Sequence, residues 1–179
     1  MSNLNTSKVK YMQYMFEDCE SLQEIDVSGF DTHEVTNMEG MFRRCRNLSV
    51  LDLSTWDTHK VWDMYLMFSQ CDNLETICCG DGWNTDRVSF ADYMFSGCSN
   101  LVGGMGTTYD KNNSGLAYAR ADGGPSSPGY LTYVNVSTYA VYTKVNGYNY
   151  GVLTFYRDAK KDTRTGTKYM LNTGDEAPG

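Results

Sequence analysis

The residues of this 179-residue chain best suited to chemistry are six cysteines and two histidines. Thiolates and imidazoles serve as nucleophiles, redox groups and metal ligands. Four of the cysteines, Cys19, Cys45, Cys71 and Cys98, recur at steps of 26, 26 and 27 residues, and no Cys-x-x-Cys occurs. Cysteines in one register of stacked coils lie close enough for disulfides in principle. They nevertheless share their positions with Phe and Leu ladders, which favours buried free thiols acting as small hydrophobes. Six unpaired thiols are unusual for an oxidising compartment. His33 and His59 occupy equivalent positions in neighbouring repeats, so a surface ladder is favoured over a catalytic pair. No third partner, nucleophile elbow or phosphate-binding loop accompanies them. Asp110-x-Asn112-x-Ser114-Gly115 imitates the start of a calcium loop, but Ala121 stands where its glutamate is needed, and a plain turn is expected. The sequence therefore predicts no catalytic residues, no metal ligands and no cofactor.

The elements that position these residues are repeats. Val9, Val35, Val61 and Val88 keep the cysteine spacing, as do the pairs Met15-Phe16, Met41-Phe42, Met67-Phe68 and Met94-Phe95, and the leucines Leu22, Leu48, Leu74 and Leu101. Identities at one fixed period mark a stacked array, here of about four coils over residues 1–105. Within a coil, Val35, Met38, Met41, Phe42 and Cys45 fall three or four apart, which predicts a helix of about three turns. Thr36 and Glu39 have capping-box spacing at its start. The pattern then alternates through Ile25-Asp26-Val27, Leu51-Asp52-Leu53 and Ile77-Cys78-Cys79, predicting a short parallel strand in each coil. An aromatic closes the coil at Phe30, Trp56 and Trp83, followed by Asp/Asn-Thr. The third coil departs by one extra residue. Seven of the ten methionines lie on these ladders, so they read as core.

Residues 106–132 are rich in Gly, Ser, Asn and Pro and predict an irregular connection. From residue 133 to 179 the chain is rich in Val, Thr and Tyr, with Asn146-Gly147 as a turn signal, predicting a three-stranded antiparallel meander that caps the array.

Charge narrows the function classes. Residues 1–105 hold 7 Lys+Arg against 16 Asp+Glu, a net of −9, whereas residues 106–179 hold 8 against 6, a net of +2. An acidic array repels phosphate backbones, which excludes nucleic acid as its expected partner. No stretch is apolar enough to span a membrane. If the strand residues alternate, Glu24, Asp26, Val50, Asp52, Thr76 and Cys78 face outward as a candidate protein-binding face. Asp26 and Asp52 would then be like charges one strand apart, a cost that a basic partner relieves.

The pattern V-x-x-M-x-x-M-F-x-x-C-x-x-L-x-x-I/L-D-V/L-S with its closing W/F-D/N-T resembles the 26-residue leucine-rich-like repeat of BspA-like bacterial surface proteins. The segments LVGGMGTTYD, AYARADGGPSSPGYLT and LTFYRDAKKDTRTGTKYMLNTGDEAPG are similar to those found C-terminal to such repeats in that family. The resemblance implies an α/β fold: a leucine-rich-repeat-like right-handed solenoid, with helix plus short parallel strand per coil, followed by a small antiparallel β meander. It implies a non-enzymatic adhesion or protein-binding role at the cell surface, with a host or bacterial surface protein or a glycan as partner. A structural spacer, or glycan binding by the Tyr-rich meander, is the alternative. Residues 4–9 (LNTSKV) match the inter-repeat segments at 30–35 and 56–61, so a monomeric fragment of a longer protein is expected, with signal and anchor outside this chain.

Overall fold

The computed structural model describes residues 4–134 and the backbone of two further strands, within 141–153. The chain divides into two compact units, Met1–Tyr133 and Val134–Gly179. In the first unit β1 (Val50–Leu53), β2 (Thr76–Cys79) and β3 (Leu131–Tyr133) form one parallel sheet in that order. In the second, β4 (Val141–Val145) pairs antiparallel with β5 (Tyr148–Leu153). The expected third meander strand, over residues 167–171, and the meander's tyrosine side chains beyond Tyr133 lie outside the described residues.

The coils do lie in register. Isolated parallel bridges link Tyr11 to Asn37, Asn37 to Asp63 and Asp63 to Phe90, one coil to the next. The predicted helix is absent, however, and with it the helix-plus-strand solenoid of a leucine-rich-like repeat. Among the described residues the only helices are two three-residue 3₁₀ turns, Leu116–Tyr118 and Gly124–Ser126. In its place each coil runs through linked turns whose backbone bonds alternate in direction. In the second coil the N–H groups of Met41, Arg43 and Cys45 donate three residues back, to Met38, Gly40 and Phe42, at 3.0–3.2 Å. Those of Met38, Gly40, Phe42 and Arg44 donate instead to Asp63, Tyr65, Met67 and Ser69 of the third coil, at 2.8–2.9 Å. An α-helix would keep all of these bonds within the coil.

Backbone sign enforces the difference. Tyr14, Gly40, Leu66 and Tyr93 have φ near +57°, and Asp18, Arg44, Gln70 and Gly97 lie between +58° and +84°. Left-handed residues at a spacing of four break a right-handed helix, at a cost of roughly 1–2 kcal/mol per non-glycine residue. The bonds to the next coil offset that cost. The predicted capping box does not form either: Thr36 Oγ1 donates to the Lys10 carbonyl, and Asn37 Oδ1 accepts the Glu39 N–H.

Burial follows the ladders. Val35, Met38, Met41, Phe42, Cys45 and Leu48 are fully buried, as are their third-coil counterparts from Val61 to Leu74. Phe16, Phe42, Phe68 and Phe95 stack with centroids 5.3–6.0 Å apart, and Tyr130 meets Phe95 edge-on at 5.2 Å. Trp56 lies beside this column, stacked on Phe30 at 6.3 Å, with its indole N–H donating to the Val27 carbonyl at 3.2 Å. The closing Asp/Asn-Thr motif acts as a clip between coils. Buried Thr6, Thr32 and Thr58 donate to the carbonyls of Asp31, Asp57 and Asn84, and accept the N–H of the same residue. Ion pairs add polar rungs, with Arg43 on Glu17 at 2.7 Å and Arg46 between Glu20 and Asp72.

Residues 106–132, which the sequence suggests are a connection, pack on the fourth coil. Ser114 supplies the carbonyl for the Phe95 N–H, and Tyr109 supplies a hydroxyl for Gly97. Leu131–Tyr133 joins the sheet as β3 beside β2.

Candidate functional site

Three surfaces of the first unit present functional groups. The first is the sheet face. Val50 pairs with Thr76 and Asp52 with Cys78, and all four are half-buried while Leu51, Leu53, Ile77 and Cys79 point into the core. Thr132 extends the Asp52–Cys78 row onto β3. Glu24 and Asp26 are exposed, but residues 24–27 carry no strand, so Asp26 is not placed in a ladder with Asp52. Each aspartate instead caps its own turn. Asp26 accepts the Ser28 hydroxyl and N–H, which hold its carboxyl below the usual range, and Asp52 accepts the Ser54 N–H.

The second surface is the turn face, where large side chains point outward, Tyr14 and Tyr93 from left-handed backbone. Trp62 (42% exposed) and Phe90 (53%) meet edge to face at 5.7 Å, and Tyr65 meets Tyr93 (58% exposed) at 6.3 Å. Asp92 is exposed between Phe90 and Tyr93 in sequence. Farther along the face, exposed Tyr14 donates to Glu39, and that hydrogen bond pushes its phenol up to about 12. These aromatics stand at positions where the repeats do not agree, so the repeat pattern gives no sign of them.

The third surface is a concavity of about 290 Å³ beside the C-terminal ends of β2 and β3, lined by Asp81, Trp83, Thr85, Arg120 and Tyr133 among others. The extra residue of the third coil creates part of its wall. Where the second coil passes from Leu53 to Trp56 through Ser54-Thr55, the third passes from Cys79 to Trp83 through Gly80-Asp81-Gly82. A Cβ on Gly80 would lie 2.1 Å from the Ser54 carbonyl oxygen, so only glycine allows this close approach to the second coil. The Tyr133 hydroxyl donates to Asp81, and the Trp83 indole N–H donates to the Ala119 carbonyl at 2.9 Å.

With this geometry in place, comparison with known proteins adds one finding. Residues 1–107 match the family described as Mycoplasma protein of unknown function, DUF285. The chain belongs to the DUF285 family. No curated protein and no solved structure matches it. The matched region of this DUF285 chain holds all four coils, together with the turn face and the third-coil half of the concavity.

The cysteines of the DUF285 coils are free. Cys45, Cys71 and Cys98 are buried, and each Sγ donates to a phenylalanine carbonyl of the preceding coil, at 3.0–3.1 Å to Phe16, Phe42 and Phe68. They are therefore weak hydrogen-bond donors as well as hydrophobes. Burial pushes the Cys45 and Cys79 thiols up to about 12 and that of Cys78 to about 11, and raises Cys71 further. Thiolate is the reactive form. In the native chain at mildly alkaline pH, a thiol reagent should therefore label exposed Cys19 fast and half-buried Cys78 slowly. The other four should label only on unfolding; mass spectrometry of a labelling time course checks the order. His33 and His59 are exposed, and each ring binds the aspartate two residues back, Asp31 or Asp57. Asp110 accepts from the backbone and side chain of Asn112 and from the Asn113 side chain, which makes the calcium-like sequence a self-bonded turn. No helix among the described residues is long and apolar enough to cross a membrane.

Proposed function

We propose that the chain is a non-enzymatic, protein-binding module of a bacterial cell-surface protein, and that the turn face carries the recognition. The observation behind this reading is two aromatic pairs on one face, Trp62 with Phe90 and half-buried Tyr65 with Tyr93, of which Trp62, Phe90 and Tyr93 are exposed. Large apolar side chains held outward by a rigid backbone are the usual anchors of protein interfaces, where Trp and Tyr dominate binding energy. The sheet face offers only short, half-buried side chains along Asp52–Cys78–Thr132, which gives a partner less to grip. Surface location is supported by the resemblance of the repeats to BspA-like proteins.

The test is a binding screen of the full chain against host matrix proteins and bacterial surface proteins, followed by variants. Trp62→Ala combined with Tyr93→Ala should weaken any saturable binding at least tenfold, about 1.4 kcal/mol or more. Asp26→Ala combined with Asp52→Ala should leave it unchanged. The reverse outcome would return recognition to the sheet face. Absence of saturable binding to every protein would leave the repeats as a structural spacer.

A further inference from the structure

The concavity at the third coil combines an acid and a base that do not pair with one another. Asp81 is exposed, and among the described residues its carboxylate is engaged by the Tyr133 hydroxyl alone. Up to four acceptor sites are available on a carboxylate, so most of its capacity is free. Arg120 is also exposed, and donates through Nε to the Pro128 carbonyl at 3.0 Å, with no partner for its terminal nitrogens among the described residues. Both residues line the same concavity, yet no ion pair joins them among the described residues. Thr85 adds a hydroxyl, and Trp83 and Tyr133 add aromatic surface.

We propose that this concavity is a subsite for one neutral sugar ring of a glycan. A simple anion would face Asp81 in a chain of net charge −7, and a simple cation would face Arg120. A polyol meets both groups, accepting from the guanidinium and donating to the carboxylate through different hydroxyls. Such charge-assisted bonds are stronger than neutral ones. The C–H-lined face of a pyranose packs on an aromatic ring without requiring charge. At about 290 Å³ the space is at the small end of ligand pockets, which suits one ring rather than an extended chain. The site also has a built origin: the third coil's departure from the 26-residue period inserts an exposed acid between two glycines pressed against the second coil, with Gly82 Cβ space closed by the Trp56 carbonyl at 2.4 Å.

The experiment uses the full chain on an array of neutral and acidic oligosaccharides, followed by saturation-transfer NMR with free hexoses and free amino acids as probes. At least one neutral saccharide should bind, with a Kd of about 1 mM or tighter for the best ligand. Asp81→Ala and Arg120→Ala should each weaken it at least tenfold while leaving the melting temperature unchanged, since both side chains are exposed. Tyr133→Phe, which removes only the hydroxyl, should weaken it less. The Trp62→Ala, Tyr93→Ala pair should have no effect, which separates this subsite from protein recognition on the turn face. Failure of every neutral saccharide, binding that survives both Asp81→Ala and Arg120→Ala, or a free amino acid as the sole ligand would each overturn the assignment.

Discussion

Trp56→Ala is expected to destabilise the first unit by about 3–5 kcal/mol, the range for deleting a fully buried large aromatic. Trp56 has no exposed surface and stacks on Phe30 at 6.3 Å with the rings 5° from parallel, while its other side packs on Phe42 at 6.2 Å. Collapse into the gap is limited, because Phe42 is held by its N–H to the Met67 carbonyl of the third coil and Phe30 by its N–H to Val27. The Val27 carbonyl also loses the indole N–H. The comparison that gives the result meaning is Trp62→Ala. That residue is of the same type, six positions along the chain and 42% exposed, so its loss should change stability by no more than about 0.5 kcal/mol. Urea unfolding of both variants, read from the midpoint at constant slope, checks the contrast. Equal effects would mean that the aromatic column does not carry the stack.

Asp122→Ala is expected to cost at least about 3 kcal/mol, because one buried carboxylate organises the segment over the fourth coil. Asp122 accepts the N–H groups of Met105, Thr107 and Gly124 and the Thr107 hydroxyl, at 2.7–3.0 Å. Each donor left without a partner out of water costs about 1–3 kcal/mol. Burial alone would raise the carboxyl, but the bonds from Thr107, Gly124 and Met105 outweigh it and hold the folded group below its ordinary value. Stability should therefore depend on pH. With the folded value depressed, this stabilisation is complete above the unfolded carboxyl value near 4 and is lost as pH falls through the lower folded one. Asp122→Asn lacks the titration, so the stability gap between native chain and variant should be constant above about pH 5 and shrink in acid. A gap that grows in acid would contradict the arrangement. Because Ala119, Arg120 and Ala121 line the concavity, Asp122→Ala should also disturb that site without touching it directly.

The ladders are legible from the sequence because burial in stacked coils imposes one residue type per position. Val35, Phe42, Cys45 and Leu48 and their third-coil equivalents are all fully buried. The conformation between the ladders is not legible. A spacing of three and four is what a helix produces, but consecutive turns that close three residues back produce it too. Gly40 and Gly97 mark two of the left-handed positions, yet Tyr14, Leu66, Arg44 and Gln70 occupy the same conformation and carry no sign of it. Their φ is imposed by the neighbouring coil, which residue type does not record. The alternation of β1 and β2 is readable, including outward Cys78 and inward Cys79. The concavity is only half readable: the extra residue near Asp81 is visible as a break in period, but nothing in residues 119–133 indicates that they fold back against it.

The direction of the backbone bonds has a consequence for descent. Backbone bonds join neighbouring coils in both directions: the N–H groups of Met38, Gly40, Phe42 and Arg44 donate to the third coil, and that of Thr36 donates back to Lys10 of the first. They ask only for carbonyls at matching heights, so whole coils are interchangeable as neighbours. The last coil is different, since Ser114, Tyr109 and Tyr130 occupy the places a fifth would fill. Duplication or loss of a complete repeat upstream preserves the backbone rungs, whereas a coil added after the fourth would have to displace that segment. Lineages carrying this fold can therefore drift in length from one side only, and the concavity, tied to the terminal coils, keeps a constant distance from the closed end while the rest grows or shrinks.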